Sequence, residues 1–491
     1  MEVPCMRRAI VSSVLAISAT GLLAACPDRG ISKVLPAQGR VEFKDIPVKI
    51  NRNVDILFVV DDSPSMADKQ ANLAANFPNF TDELSKIEGG LPSVHIGVVT
   101  SDMGTKGANS PTPGPGIGTI GMGGCSGLGK DGNLRTGGAP IQNGAPFLSN
   151  EIDPTTGARM PNYTGNLSDA FTQMAKAGDG GCGFEQHLEA MKQALVSTNA
   201  ANKGFLRDDA YLAVVIIADE DDCSLADPML LQAGDNGPLG AQQSFRCTRF
   251  GVLCDDNGDT TATMNQVGPK GKCHPNDQSA FLTKASGYAD FLKSLKTDPS
   301  KVIVAGIIGT TDPFAVELRA PQGQPNGKKL PSLAHSCSYV DTAGKTEVAD
   351  PPIRIKYFLD QFPNRSTFST ICQSDLSGGL SQIGDLLKAV IGDPCIEGKL
   401  ADVDTKTPGP QYDCAVAAVQ NQGKDNETQN ILPKCDDSSS NAPCWHLVTD
   451  AVNCSKTPDM QTLKVEGQNT LPDDTHIIAN CVTEVTDEPA L

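Results

Sequence analysis

The chain contains no C-x-x-C pair, no G-x-S-x-G segment and no two histidines at metal-pairing spacing. The first absence removes the zinc ribbon and the thioredoxin-type redox motif. The second removes the strained elbow that presents a serine nucleophile in α/β hydrolases. His187, His274, His335 and His446 therefore read as ordinary polar histidines. Positive charge is also scarce: 40 Lys and Arg face 58 Asp and Glu, a net charge of −18. Such a surface repels nucleic acid, which is not an expected partner, and attracts cations. It also keeps an exported protein soluble. Beyond residue 25 no segment is apolar enough to span a bilayer. No internal repeat is visible.

What is present begins at the amino terminus. Arg7 and Arg8 precede an apolar or small-residue run from Ala9 to Ala25, the pattern of an export signal. It ends Leu23-Ala24-Ala25-Cys26, and a cysteine at the cut resembles the lipobox of bacterial lipoproteins. The resemblance implies that residues 1–25 are removed and that Cys26 carries lipid. The membrane would then be a partner, in the outer membrane or at the cell surface rather than in the inner membrane. A plain secretory signal with an incidental cysteine is the bland alternative. Cysteine use agrees with export: of 16 Cys, 14 remain once Cys5 and Cys26 are set aside, an even number.

Residues 26–45 lack periodicity and are expected to form a tether. Four near-continuous β-branched runs follow, at 54–60, 94–100, 212–217 and 302–308, as in parallel strands buried on both faces. Apolar stripes at helical spacing alternate with them. Leu73, Phe77, Phe80, Leu84 and Ile87 form one, with a kink expected at Pro78. Phe184, Leu188, Met191 and Leu195 form another; Phe281, Tyr288, Phe291 and Leu295 a third; Leu380, Ile383, Leu387 and Val390 a fourth. The alternation predicts an α/β fold with a doubly wound, mostly parallel sheet over 46–394. Gly- and Pro-rich stretches at about 103–180, 225–275 and 310–365 read as disulfide-stapled insertions. After residue 394 the stripes end and six cysteines crowd the last 97 residues, which predicts a small disulfide-rich module over 395–491. Eight cysteines stay in the α/β part, so two self-contained sets of bridges are expected, with pairing left open.

The chemistry lies at the strand ends. Asp61-x-Ser63-x-Ser65 follows the first strand, at the edge of an α/β sheet where ligands bind. A carboxylate and two hydroxyls in one tight turn are hard oxygen donors suited to magnesium or manganese. Asp219 lies just past the third strand, at the same edge. These positions resemble a von Willebrand factor type A (VWA) domain with a metal-ion-dependent adhesion site (MIDAS). The resemblance implies that Asp61, Ser63, Ser65 and Asp219 hold Mg2+ (or Mn2+ or Ca2+) and that a partner protein's carboxylate replaces one water. It matches the family's antiparallel edge strand to the Phe147 region. The family threonine is absent; Glu185 stands in its place, either as a ligand or as a helix N-terminal Glu favoured by the dipole. Cys182 reads as a disulfide partner. Asp62, Asp102 and Glu220 are candidates to support the ligands, or are solvated loop carboxylates.

The expected function is metal-dependent protein binding, in adhesion or scaffolding, without catalysis. A structural envelope protein with little metal dependence is the runner-up. Asp61 also resembles the nucleophile of haloacid-dehalogenase-type phosphohydrolases, but Ser63 stands where their second aspartate must act as general acid. Asp255-Asp256-Asn257-Gly258-Asp259 starts like a calcium loop, yet Thr260 replaces the required glycine and no Glu closes it, so an acidic turn is expected. Cys26→Ser is expected to abolish fatty-acid labelling of the chain and release it from the membrane fraction; labelling that persists in this variant refutes the lipid site.

Overall fold

A computed structural model of the chain describes residues 39–484, apart from positions 49–50, 88–89, 111, 143, 154, 235–236, 257, 321–325, 342, 393–394, 423, 425, 437–440, 452–453, 455–456 and 473. The signal segment, Cys26 and the boundary at 394 fall outside the described residues.

Five strands pair in parallel at the centre: β2 (Asn53–Val60), β3 (Ser93–Thr100), β6 (Tyr211–Ile217) and the strands Val302–Ile308 and Ser366–Thr370. Beyond β3 come β4 (Leu148–Ile152) and β5 (Arg159–Pro161), both antiparallel. The order is Ser366–Thr370, Val302–Ile308, β6, β2, β3, β4, β5, a seven-stranded mixed sheet. All four apolar runs are strands. The antiparallel strand matched to the Phe147 region is β4, with β5 rather than β4 at the edge of the sheet, and Phe147 itself is buried beside β4.

The period-two geometry of a strand sends alternate side chains to opposite faces. Val54, Ile56, Phe58 and Val60 enter one core with α1 (Ala67–Ser85), α2 (Leu167–Ala175) and α7 (Ser377–Gly392). Leu57 and Val59 enter the other with α3 (His187–Leu195), α5 (Ala285–Ser294) and α6 (Ile353–Asp360). Helices thus cover both faces, which accounts for the absence of polar residues from Ile56 to Val60 in β2. Phe58 anchors the first core, packing on Phe77, Phe80 and Phe171 at centroid distances of 5.9, 5.8 and 4.8 Å. At Pro78 the helix α1 continues unbroken. Pro78 has no N–H for the carbonyl of Ala74. The Thr172 hydroxyl on α2 donates to that carbonyl at 3.2 Å instead.

Three boundaries differ from expectation. The stretch 103–180 contains β4, β5 and α2, and 310–365 contains α6, so both insertions are shorter than their composition implies. The strand Ser366–Thr370 carries no aliphatic residue, and an edge strand needs none. Residues 39–45, expected in the tether, lie in β1 (Gly39–Pro47), which pairs with Thr475–Glu484.

β1 completes a four-stranded antiparallel sheet with Thr475–Glu484, Cys414–Gln420 and Thr428–Leu432. With the hairpin Cys444–Thr449/Gln461–Glu466 it encloses a separate core of Ile46, Val416, Leu432, Trp445, Leu463 and Ile477. Seven disulfides stay within the two sets: Cys125–Cys182, Cys223–Cys247, Cys254–Cys273 and Cys337–Cys372, then Cys395–Cys454, Cys414–Cys481 and Cys435–Cys444. They fit an exported chain. Among the described residues no helix is long and apolar enough to cross a membrane.

The small module meets the α/β part at the amino edge of the parallel strands. His476 Nδ1 lies 2.7 Å from Asp45 Oδ1, and its Nε2 lies 3.5 Å from Asp298 Oδ2. Arg365 closes the cluster on Asp45 at 2.6 Å. Burial opposes the imidazolium, but the hydrogen bonds and charges of Asp298 and Asp45 outweigh it and push the His476 pKa up to about 9. The folded state therefore favours the proton. Its stabilisation is complete below the ordinary histidine value of 6.5 and is lost as pH rises through about 9. Between these limits wild type is expected to lose on the order of 3 kcal/mol, read as a falling melting temperature. His476→Gln should be less stable at pH 6 and flat across this window; a wild-type slope retained by the variant rules the cluster out as its source.

Candidate functional site

Val60 stands level with Ile217 in the β2–β6 pairing, so Asp61 and Asp219 leave the same sheet edge side by side. The Asp61 N–H donates to the Ile217 carbonyl at 3.0 Å, which locks the loop to its neighbour. Asp61 Oδ1 accepts the Ser63 N–H at 2.8 Å and closes the turn. Ser63 Oγ then lies 3.1 Å from Ser65 Oγ, and Ser65 Oγ donates to Asp219 Oδ1 at 3.1 Å. Asp61, Ser63, Ser65 and Asp219 are thereby brought together. Ser63, Ser65, Asp219, Glu185 and Glu220 line a cleft of about 640 Å3, and Asp61 is buried next to it.

Two oxygens there have no hydrogen-bond partner: Asp61 Oδ2 and Glu185 Oε1, both buried. A buried carboxylate oxygen left unsatisfied carries a desolvation cost. Burial first, then the charges of Glu220 and Asp61, raise the Glu185 carboxyl well above its ordinary range. Burial and then Asp61 push Asp219 up to about 6, against the pull of Lys69 and Ser65. A divalent cation would relieve both the repulsion and the missing partners. The donor set of carboxylates and hydroxyls fits a hard ion. Among the described residues no three His, Cys, Asp or Glu side chains group into a metal centre.

The acidic run after β6 divides its work. Asp219 serves the site and Glu220 faces the cleft. Asp221 accepts the N–H groups of Arg354 and Ile355 at the start of α6. Asp222 accepts the N–H of Leu188 in α3 at 2.9 Å and pairs with the buried Arg354 at 3.0 Å. Asp62 does not line the cleft; it is buried against Lys130, and burial raises it to about 6 although Lys130 pulls the other way. Asp102 Oδ1 accepts the Gly104 N–H at 2.9 Å in its own loop. Cys182 is disulfide-bonded. In the acidic turn, Asp255 pairs with His274, and Asp256 and Asp259 pair with Lys272 and Lys270.

The insertions wall the cleft. Met122 and Gly123 come from the first, Gln243 and Ser244 from the second, His335 and Asp350 from the third. The Asp350 N–H donates to the Asp219 carbonyl at 2.7 Å, which ties the third insertion to the site. Two site residues escaped the sequence reading. Lys69 reaches Asp219 Oδ2 at 3.0 Å. Its signal was available, because it sits one helical step before Leu73, in register with the apolar stripe of α1. His187 is fully buried, its Nε2 3.5 Å from Asp61 Oδ2, and neither ring nitrogen makes a hydrogen bond. Burial lowers its pKa, but Asp61 outweighs burial and raises it above the ordinary value.

Gly181 permits the close approach that holds the loop. Its N–H donates to the Asp62 carbonyl at 2.7 Å, and a Cβ there would lie 2.3 Å from Asp62 Oδ1 and 2.7 Å from Asp62 O. Gly181→Ala should destabilise the chain by roughly 1–3 kcal/mol in denaturant titration. Gly287→Ala, in α5 with nothing within 4 Å of the new methyl, should stabilise it by about 0.5–1 kcal/mol. Equal midpoints for the two variants would contradict the packing described.

No protein-family model matches the sequence, and no curated protein matches it. Among solved structures the chain is similar to proximal thread matrix protein 1 from the mussel byssus, with TM-score 0.29 and 11% identity over 70% of this chain and 49% of that one. It is similar to a von Willebrand factor type A protein from Catenulispora acidiphila, with TM-score 0.24 and 10% identity over 91% and 66%. The pilus adhesin from Streptococcus pneumoniae gives TM-score 0.25 and 11% identity over 91% and 58%. The chain spans about half to two-thirds of the length of these structures.

Proposed function

We propose that the protein is a lipid-anchored, divalent-metal-dependent binding protein of the bacterial cell envelope, acting in adhesion or scaffolding and not in catalysis. The domain would be of von Willebrand A type, with a MIDAS-like site. The observation that carries this is the pair of buried carboxylate oxygens that accept no hydrogen bond, Asp61 Oδ2 and Glu185 Oε1, beside the Ser63–Ser65–Asp219 chain. Ser63, Ser65 and Asp219 would hold Mg2+, with Asp61 and Glu185 adding charge. Magnesium keeps several waters and prefers octahedral coordination, so it leaves a position for a partner's carboxylate. The cleft walls would admit a protruding acidic loop sooner than a flat face.

The Lys69–Asp219 ion pair favours a second reading, an envelope protein with the same fold and little metal dependence. Titration calorimetry with magnesium separates the two. Wild type should give saturable heat that Asp61→Ala combined with Ser63→Ala removes. Heat unchanged in the double variant would sink the metal site.

A further inference from the structure

We propose that Lys69 is a built-in competitor for the cation, and that Glu347 receives its charge when the cation binds. This rests on the metal-binding reading above. Lys69 is 1% exposed, and its ammonium touches three oxygens: Asp219 Oδ2 at 3.0 Å, the Ser65 carbonyl at 3.0 Å and Glu347 Oε2 at 3.3 Å. A buried ammonium stays charged only where such partners offset its lost hydration. Asp219 divides its oxygens, Oδ1 to Ser65 and Oδ2 to Lys69. The carboxylate nearest the hydroxyls is therefore already neutralised. A divalent cation held by Ser63, Ser65 and Asp219 would lie close to the Lys69 ammonium, and like charges repel strongly where water is excluded.

Glu347 offers the way out. It lies in the third insertion, in the hairpin Cys337–Val340/Thr346–Ala349. It already reaches Lys69, and its other oxygen meets Lys345 at 2.6 Å. Rotation of the lysine stem toward Glu347 frees Asp219 Oδ2 for the cation without breaking the Lys69–Glu347 pair. The same hairpin is fixed to α1 by the Tyr339 hydroxyl, which donates to Asp68 at 2.6 Å, and its end, Val348 to Asp350, walls the cleft. Cation occupancy and the cleft wall are therefore linked through one lysine, and such a linkage is reciprocal.

The test is magnesium titration of the full chain as wild type, Lys69→Met and Glu347→Gln, each first checked for wild-type circular dichroism. Lys69→Met should bind at least about tenfold tighter. Glu347→Gln should bind about fivefold weaker. A purely structural role would weaken binding by Lys69→Met, which strands buried carboxylates, and would leave Glu347→Gln unchanged, since the isosteric amide still accepts from Lys69. Unchanged or weaker binding by Lys69→Met overturns the inference and leaves the metal reading standing. If that variant does not fold, Glu347→Gln decides: weaker binding supports the handover, and equal or tighter binding overturns it. Heat from Lys69→Met alone supports the competitor and removes metal dependence from the wild-type chain. No heat from any of the three overturns both.

Discussion

Asp61 and Asp219 are delivered by adjacent parallel strands to one edge of the sheet, and both are buried. Like charges in a poorly solvated place must be separated, protonated or neutralised. The surrounding structure answers that demand. Serine hydroxyls and backbone N–H groups take some of the carboxylate oxygens, Lys69 takes another, His187 Nε2 lies 3.5 Å from Asp61 Oδ2, and Glu185 Oε1 is left over. The edge thus keeps acceptor capacity that its hydrogen bonds do not use.

The insertions belong to the same solution. Cys125–Cys182 returns the first insertion beside the D-x-S-x-S loop, where Gly181 bonds Asp62. Cys223–Cys247 pins the second insertion four residues past Asp219. The third bonds Asp219 directly through the Asp350 N–H, an approach open because a Cβ at Gly309 would lie 2.3 Å from the Asp350 carbonyl. Meanwhile the disulfide-rich module docks at the opposite edge through Asp45, His476, Asp298 and Arg365. The cleft and the module therefore face away from each other across the length of the strands, with β1, the first described element, on the module's side.

The sequence by itself determined the elements whose burial is one-sided in composition. Runs such as Ile56–Val60 and Leu212–Ile217 are apolar throughout because both faces are covered. The positions of Asp61, Ser63, Ser65 and Asp219 followed, because strand ends fix which residues reach the edge. The even division of cysteines also stood in the sequence, since bridges close within a folded unit. Tertiary structure alone decided the rest. β1 and Ser366–Thr370 carry mixed or polar residues and become strands only because a neighbour supplies the hydrogen bonds. Asp219 to Asp222 look alike in sequence, yet one serves the site, one faces the cleft and two hold helix starts, and only packing assigns those tasks. Lys69 could be placed on the buried stripe from its spacing, but its partner Glu347 lies 278 residues away. Charge pairing over such separations is set by the fold, because local spacing carries no information about which distant carboxylate a buried ammonium will meet.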